Sequence, residues 1–357
     1  MKRVLSLVLT LVLLVSVLAG CGTIPAPAAS SAAPTPVASS APSKEAQPSP
    51  KPQEDQIVLR LAENQPADYP TTLGDLEFAR LVEERTNGRI KIEVYYGAQL
   101  GDEKSVIEQV QFGAIDFARI SISPISEFAK DLNALQLPYI YRDADHMWKV
   151  LSGPIGDELL KSVESANLVG LTWYDSGSRN FYNTKKEVKS VADLKGLKIR
   201  VQESKLMMGL VEALGASPTP MAYGEVYSAL QTGVIDGAEN NWPSYISSSH
   251  YEVAKYITID SHTRVPEIVV GSPITLGKLS AEDQEIIKKA AKESTELQKA
   301  EWAKYSKKSE DAAVAAGCTI TTLDEATTLE FQNAMKPLHD ELGKDYADLI
   351  KRIQDTK

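Results

Sequence analysis

The run Gln111-Phe112-Gly113-Ala114-Ile115-Asp116-Phe117-Ala118 returns 120 residues later as Gln231-Thr232-Gly233-Val234-Ile235-Asp236-Gly237-Ala238. Each copy reads as a helix stopped by glycine, the residue that most easily takes the left-handed C-terminal conformation, followed by a strand opened by Ile-Asp. Gly-X-Ile-Asp is short enough to recur by chance. The shared context decides otherwise: a strand, a loop and a helix of similar length precede both copies. The chain therefore reads as two similar α/β lobes.

Working outward from the first copy, Ile57 to Ala62 forms a buried-strand pattern. Thr72 to Thr86 carries helical spacing through Leu73, Leu76, Ala79 and Val82, and stops at Asn87-Gly88. Ile90, Ile92 and Val94 alternate as a strand, and Asp102 can cap a helix running to Phe112. Ile115 to Ser121 is the next strand. The order β-α-β-α-β predicts a parallel sheet with crossover helices. A helical region, Asp143 to Asn167, and a strand, Leu168 to Tyr174, lead towards the second copy. Around that copy, helices are expected over Ser204–Leu214 and Gly224–Thr232. Strands are expected between Pro218 and Pro220 and over Val234–Glu239, Tyr256–Asp260 and Ile268–Val270. Ser280 to Ala316 reads as one helix about 55 Å long at 1.5 Å per residue. That is too long for one small lobe, so it is a strut across both or two helices broken near Ser294 or Ser306. Ser280 can cap it and Gly317 can end it.

Between the two copies lies Ser178 to Val201. Leu197, Ile199 and Val201 alternate with Lys198 and Arg200, which puts Arg200 near the carboxyl end of a short strand, where open α/β sheets hold ligands. A guanidinium there matches a carboxylate bidentately. A surface arginine in a local ion pair fits the same residues. Arg179 sits after Gly177-Ser178, a loop-like context that predicts a more mobile side chain.

The 357 residues carry a formal net charge of −10, which argues against nucleic acid as a partner. An anionic ligand would need a local cluster of donors. The first residues combine a basic start, Lys2-Arg3, an apolar run from Val4 to Val17 and Leu18-Ala19-Gly20-Cys21. This is a secretory leader over 1–20, and its end resembles the bacterial lipobox, in which Cys21 takes a lipid. Residues 21–55, rich in Pro, Ala and Ser, are expected as a tether without a core of its own. Cys318 is then left without a disulfide partner. No Cys/His spacing suits a metal, and no cofactor is expected. Gly-X-Ser-X-Gly, His-Glu-X-X-His and a phosphate-binding loop are missing, so a secreted hydrolase lacks support.

The stretches Glu84–Ile90, Gln99-Leu100-Gly101, Gly196–Val201, Leu214–Met221 and Gln231–Asn240 resemble the solute-binding proteins of tripartite ATP-independent periplasmic (TRAP) transporters, the DctP-like family. The resemblance runs from Val58 to about Lys351. It implies a two-lobed periplasmic-binding-protein-like α/β fold with crossing strands and a long helix spanning both lobes. The lobes are expected as 56–177 plus 267–305 and 178–266 plus 306–357. It implies no enzyme but a monomeric, lipid-anchored, extracytoplasmic receptor that hands a carboxylate-bearing solute to membrane permease subunits. In that family the Arg200 position pairs with the ligand carboxylate and Arg179 is a second site arginine. Asn240, Tyr223, Asn64 and Ser121 match further contacts, although relatives carry an acidic residue at the Ser121 position. The segment Asn240–Tyr245 resembles relatives that bind sugar acids such as hexuronates, with Trp242 either a ligand contact or packing. A C4-dicarboxylate receptor, or a receptor presenting its ligand to a membrane sensor, are the alternatives.

Overall fold

The computed structural model describes residues 56–357; the expected leader, Cys21 and the tether lie outside them. The repeated Ile-Asp motif performs the same task twice. The Asp116 carboxylate accepts from the Arg60 N–H at 2.7 Å, and the Asp116 N–H donates to the Arg60 carbonyl at 3.2 Å. Asp236 grips Lys198 in the same way, at 2.9 and 2.8 Å. Each aspartate closes a backbone pair at the start of its strand and so fixes that strand's register against a parallel neighbour.

The two sheets repeat one plan. The first has the order β2 (Ile90–Tyr95), β1 (Ile57–Ala62), β3 (Phe117–Ser121), β10 (Glu267–Gly271), β4 (Val169–Tyr174). The second has the order β7 (Ser217–Pro220), β6 (Lys198–Val201), β8 (Gly237–Asn240), β5 (Ser178–Asn183), β9 (Tyr256–Arg264), β11 (Thr319–Thr322). In each, three parallel strands meet an antiparallel pair. Only Asp175–Gly177 separates β4 from β5, and only Val265-Pro266 separates β9 from β10. The chain therefore crosses twice from sheet to sheet through very short connections.

The sequence pattern predicts no strand over Ser178–Asn183 and ends β9 at Asp260, four residues before Arg264. The cause is burial of polar side chains. Arg179, Asn180 and Asn183 on β5, and Asp260, His262 and Thr263 on β9, are all buried. Buried polar partners on these strands erase the apolar/polar alternation that marks a half-exposed strand.

Ala281–Ala315 is one unbroken helix, capped by Ser280 Oγ, which accepts from the Asp283 N–H at 3.1 Å. Ser294 does not break it, because its hydroxyl is occupied by the Ala291 carbonyl at 2.8 Å and Tyr174 Oη at 2.7 Å. The helix packs on Pro70–Arg85 and β4 at one end and on the helix Trp242–Ser247 at the other. Apolar cores lie under the first sheet, around Leu61, Phe78 and Ile287, and under the second, around Tyr182, Leu230 and Tyr245. A third runs between the lobes through Leu135, Leu206, Met207 and Met335. No helix among the described residues is long and apolar enough to cross a membrane.

Candidate functional site

Parallel strands point their carboxyl ends the same way, so a helix or loop leaving each strand end borders one crevice. Both sheets turn these ends towards a cavity of about 520 Å³, well within the usual range for a small-molecule site. Asn64, Gln65 and Glu103 line it from the first sheet's side, and Arg200, Gln202 and Tyr223 from the second's. An adjoining recess adds Ser121, Arg119 and Glu267 on one side and Arg179 and Asn240 on the other.

Arg200 lies on β6 with 3% of its surface exposed. Its Nε and Nη2 donate to the Met221 carbonyl at 3.1 and 2.8 Å, which fixes the plane of the fork. Among the described residues no carboxylate forms an ion pair with it, and burial pushes its pKa below the usual arginine value. A desolvated cation without a counter-ion is costly. In a cavity wall it favours an anion.

Arg179 is the opposite case. It lies on β5 and not in a loop, and is 2% exposed. Its Nε and Nη2 grip the Glu239 carboxylate, Nη2 also donates to the Glu239 carbonyl at 2.8 Å, and Nη1 donates to Asn240 Oδ1 at 3.0 Å. The expected mobility is therefore absent: a bidentate partner in a buried strand holds the side chain. Behind it His262 donates to Asp260 at 2.8 Å and to Glu239 at 3.4 Å, its ring stacked 4.4 Å from that of Phe181. Burial opposes the charge on His262, but Asp260 and Glu239 outweigh it and raise the pKa to about 9. Burial likewise opposes ionisation of Glu239, but Arg179 and His262 hold its pKa down, at about 2.

The first-sheet wall is acidic. Arg119, on β3, is clamped by Glu63 and Glu267 and donates to Asn64 Oδ1. Glu103 accepts from the Ser121 N–H at 2.8 Å, and burial followed by the nearby Glu267 lifts its pKa to about 8. Ser121 Oγ is buried and has no hydrogen-bond partner.

The expected site residues Arg200, Arg179, Asn240, Tyr223, Asn64 and Ser121 thus border one connected space. Trp242 does not line it. Its ring packs edge-on against Tyr245, 6.2 Å between centroids, in the second lobe's core, so packing is its observed role. Among the described residues no group of three or more His, Cys, Asp or Glu is placed to hold a metal ion.

Over residues 61–345 the chain matches the model of the bacterial extracellular solute-binding protein family 7. It belongs to that family. Among solved structures, this solute-binding protein is 47% identical to a TRAP periplasmic solute-binding protein of Bradyrhizobium sp. BTAi1 in complex with galacturonate. The match covers 84% of this chain and 99% of the other, with a TM-score of 0.82. It is 40% identical to one from Pseudomonas putida F1 with bound D-glucuronate, over 84% and 98% of the two chains, TM-score 0.82. A Chromohalobacter salexigens solute-binding protein is 38% identical over 82% of this chain and 86% of its own.

Sequence pattern alone missed Arg119, Glu103, Gln65 and Gln202, which line the cavity and its recess in this solute-binding protein, and Glu239, His262 and Asp260, which lie behind Arg179. One signal was available: Arg119 is a charge inside the apolar strand Ile115–Ser121, and a buried charge needs a partner. Naming that partner requires knowing that β10 lies beside β3, which the linear order hides.

Proposed function

We propose that this protein is the receptor of a TRAP transporter for a hexuronate, and that Arg200 holds the ligand's carboxylate. The observation that carries this is a pre-oriented, buried guanidinium without a carboxylate partner in the wall of a ligand-sized cavity. The galacturonate and glucuronate bound by its relatives support a sugar acid. Arg179, fixed by Glu239, offers a second cationic edge, with Asn240, Tyr223, Asn64 and Ser121 completing the contacts. In this reading the lobes are residues 56–177 plus 267–305 and 178–266 plus 306–357. They close on the ligand because it touches both. The receptor acts as a monomer, tethered through a lipid on Cys21 outside the cytoplasm, delivers the acid to the permease subunits and does no chemistry on it.

Mass spectrometry of ligand retained on purification, followed by calorimetric titration with D-glucuronate, D-galacturonate and succinate, tests this. Binding of a hexuronate in preference to succinate is the expected result. Preference for succinate would move the assignment to a dicarboxylate receptor. Binding of no carboxylate would remove it.

A further inference from the structure

Gln65 follows β1 and Gln202 follows β6, so they enter the same cavity from opposite sheets. They are 7% and 8% exposed, yet the Oε1 of each has no hydrogen-bond partner, and neither side-chain amide bonds to any described residue. Polar groups so buried are nearly always satisfied, and an unsatisfied one costs stability. Two facing one cavity from opposite sides, joined by the unpartnered Ser121 Oγ in the adjoining recess, point to a ligand that supplies the missing bonds. Its chemistry follows from theirs. A carboxamide offers donors and an acceptor side by side, and a hydroxyl is the group that can answer both. A second ligand carboxylate would bring only acceptors and leave each Oε1 without a donor, whereas hydroxyls bring donors as well.

We propose that Gln65 and Gln202 are specificity-determining residues that read the hydroxyl groups of a polyhydroxylated monocarboxylate. This rests on the receptor function proposed above. Arg200 fixes one end of the ligand, and the two amides select what the rest of it carries.

The full-length protein and the variants Gln65→Leu and Gln202→Leu are titrated with D-glucuronate, D-galacturonate and cyclohexanecarboxylate. The last has a ring and a carboxylate but no hydroxyl. Each variant, with an unchanged or raised thermal midpoint, is expected to bind the preferred hexuronate roughly 10-fold or more weakly. Its preference for hexuronate over cyclohexanecarboxylate should shrink by the same factor. A merely structural role would weaken both ligands alike, and that result overturns the proposal. So does unchanged hexuronate affinity in both folded variants. If the unaltered protein binds neither hexuronate, the sugar-acid reading itself falls and takes this inference with it.

Discussion

At the scale of single residues, the two site arginines differ in what balances their charge. Arg200 has no carboxylate in ion-pair contact among the described residues, and the charge of Glu239 reaches it only from further away, so its removal should act on the ligand. Truncating one partner of a buried, hydrogen-bonded charge pair costs roughly 2–5 kcal/mol, or about 30- to several-thousand-fold in Kd. Arg200→Ala is therefore expected to bind its acid barely at all while melting like the parent. Arg200→Lys keeps the charge but loses the planar fork, and should fall between the two in calorimetric titration. Arg179 is already neutralised by Glu239. Arg179→Ala leaves a buried carboxylate without its main partner, a loss of about 3–5 kcal/mol in stability, visible as a lower urea midpoint. If Arg200→Ala binds normally while folded, the carboxylate assignment is wrong. The network behind Arg179 also sets a pH dependence. Glu239 has its pKa depressed from 4.5 to about 2, so its contribution is present above 4.5 and is lost as pH falls towards 2. His262 has its pKa raised from 6.5 to about 9, so its contribution is complete below 6.5 and is lost as pH rises through 9. In urea unfolding, His262→Gln should flatten the decline between pH 6.5 and 9. An equally steep decline in that variant would assign it to another group.

At the scale of elements, the long helix depends on one close approach. A Cβ on Gly74 would come within 2.9 Å of Gln298 Cβ and of the Tyr174 ring. Gly74 therefore lets the helix Pro70–Arg85 lie against Ala281–Ala315. In an exposed helix interior, Gly→Ala stabilises by roughly 0.5–1 kcal/mol. Here the propensity gain competes with overpacking worth typically 1–3 kcal/mol. Gly74→Ala is expected to lower the thermal midpoint, and a raised one would show that the contact relaxes freely. Helix boundaries such as Asp102 and Ser280 were legible because a cap is a local hydrogen bond. β5 was not, because its pattern is set by Glu239 and Asp260, about 60 and 80 residues away.

At the scale of the whole molecule, two short crossings and one helix join the sheets, with the cavity between them. Hinge closure around such a cavity predicts a smaller radius of gyration with bound acid, measurable by small-angle scattering. An unchanged profile at saturating D-glucuronate, in a sample shown calorimetrically to bind it, would count against closure. Outside the described residues, Cys21→Ser should release the protein from membranes in fractionated cells. Retention of that variant would dispose of the lipid anchor.

The linear sequence by itself carried what depends on neighbours along the chain. It determined the repeated helix-stop and Ile-Asp unit, the parallel β-α-β order, the caps, the long helix and the strand alternation that puts Arg200 at a strand end. The family resemblance also rests on those short runs. Tertiary structure alone decided which arginine is left without a carboxylate in direct contact. It also turned Trp242 into packing and left Gln65 and Gln202 unsatisfied in a common cavity. The physical reason is that a side chain's partner is chosen by strand order across a sheet. Here β3 lies beside β10 and β5 lies between β8 and β9, pairings between segments far apart in the chain.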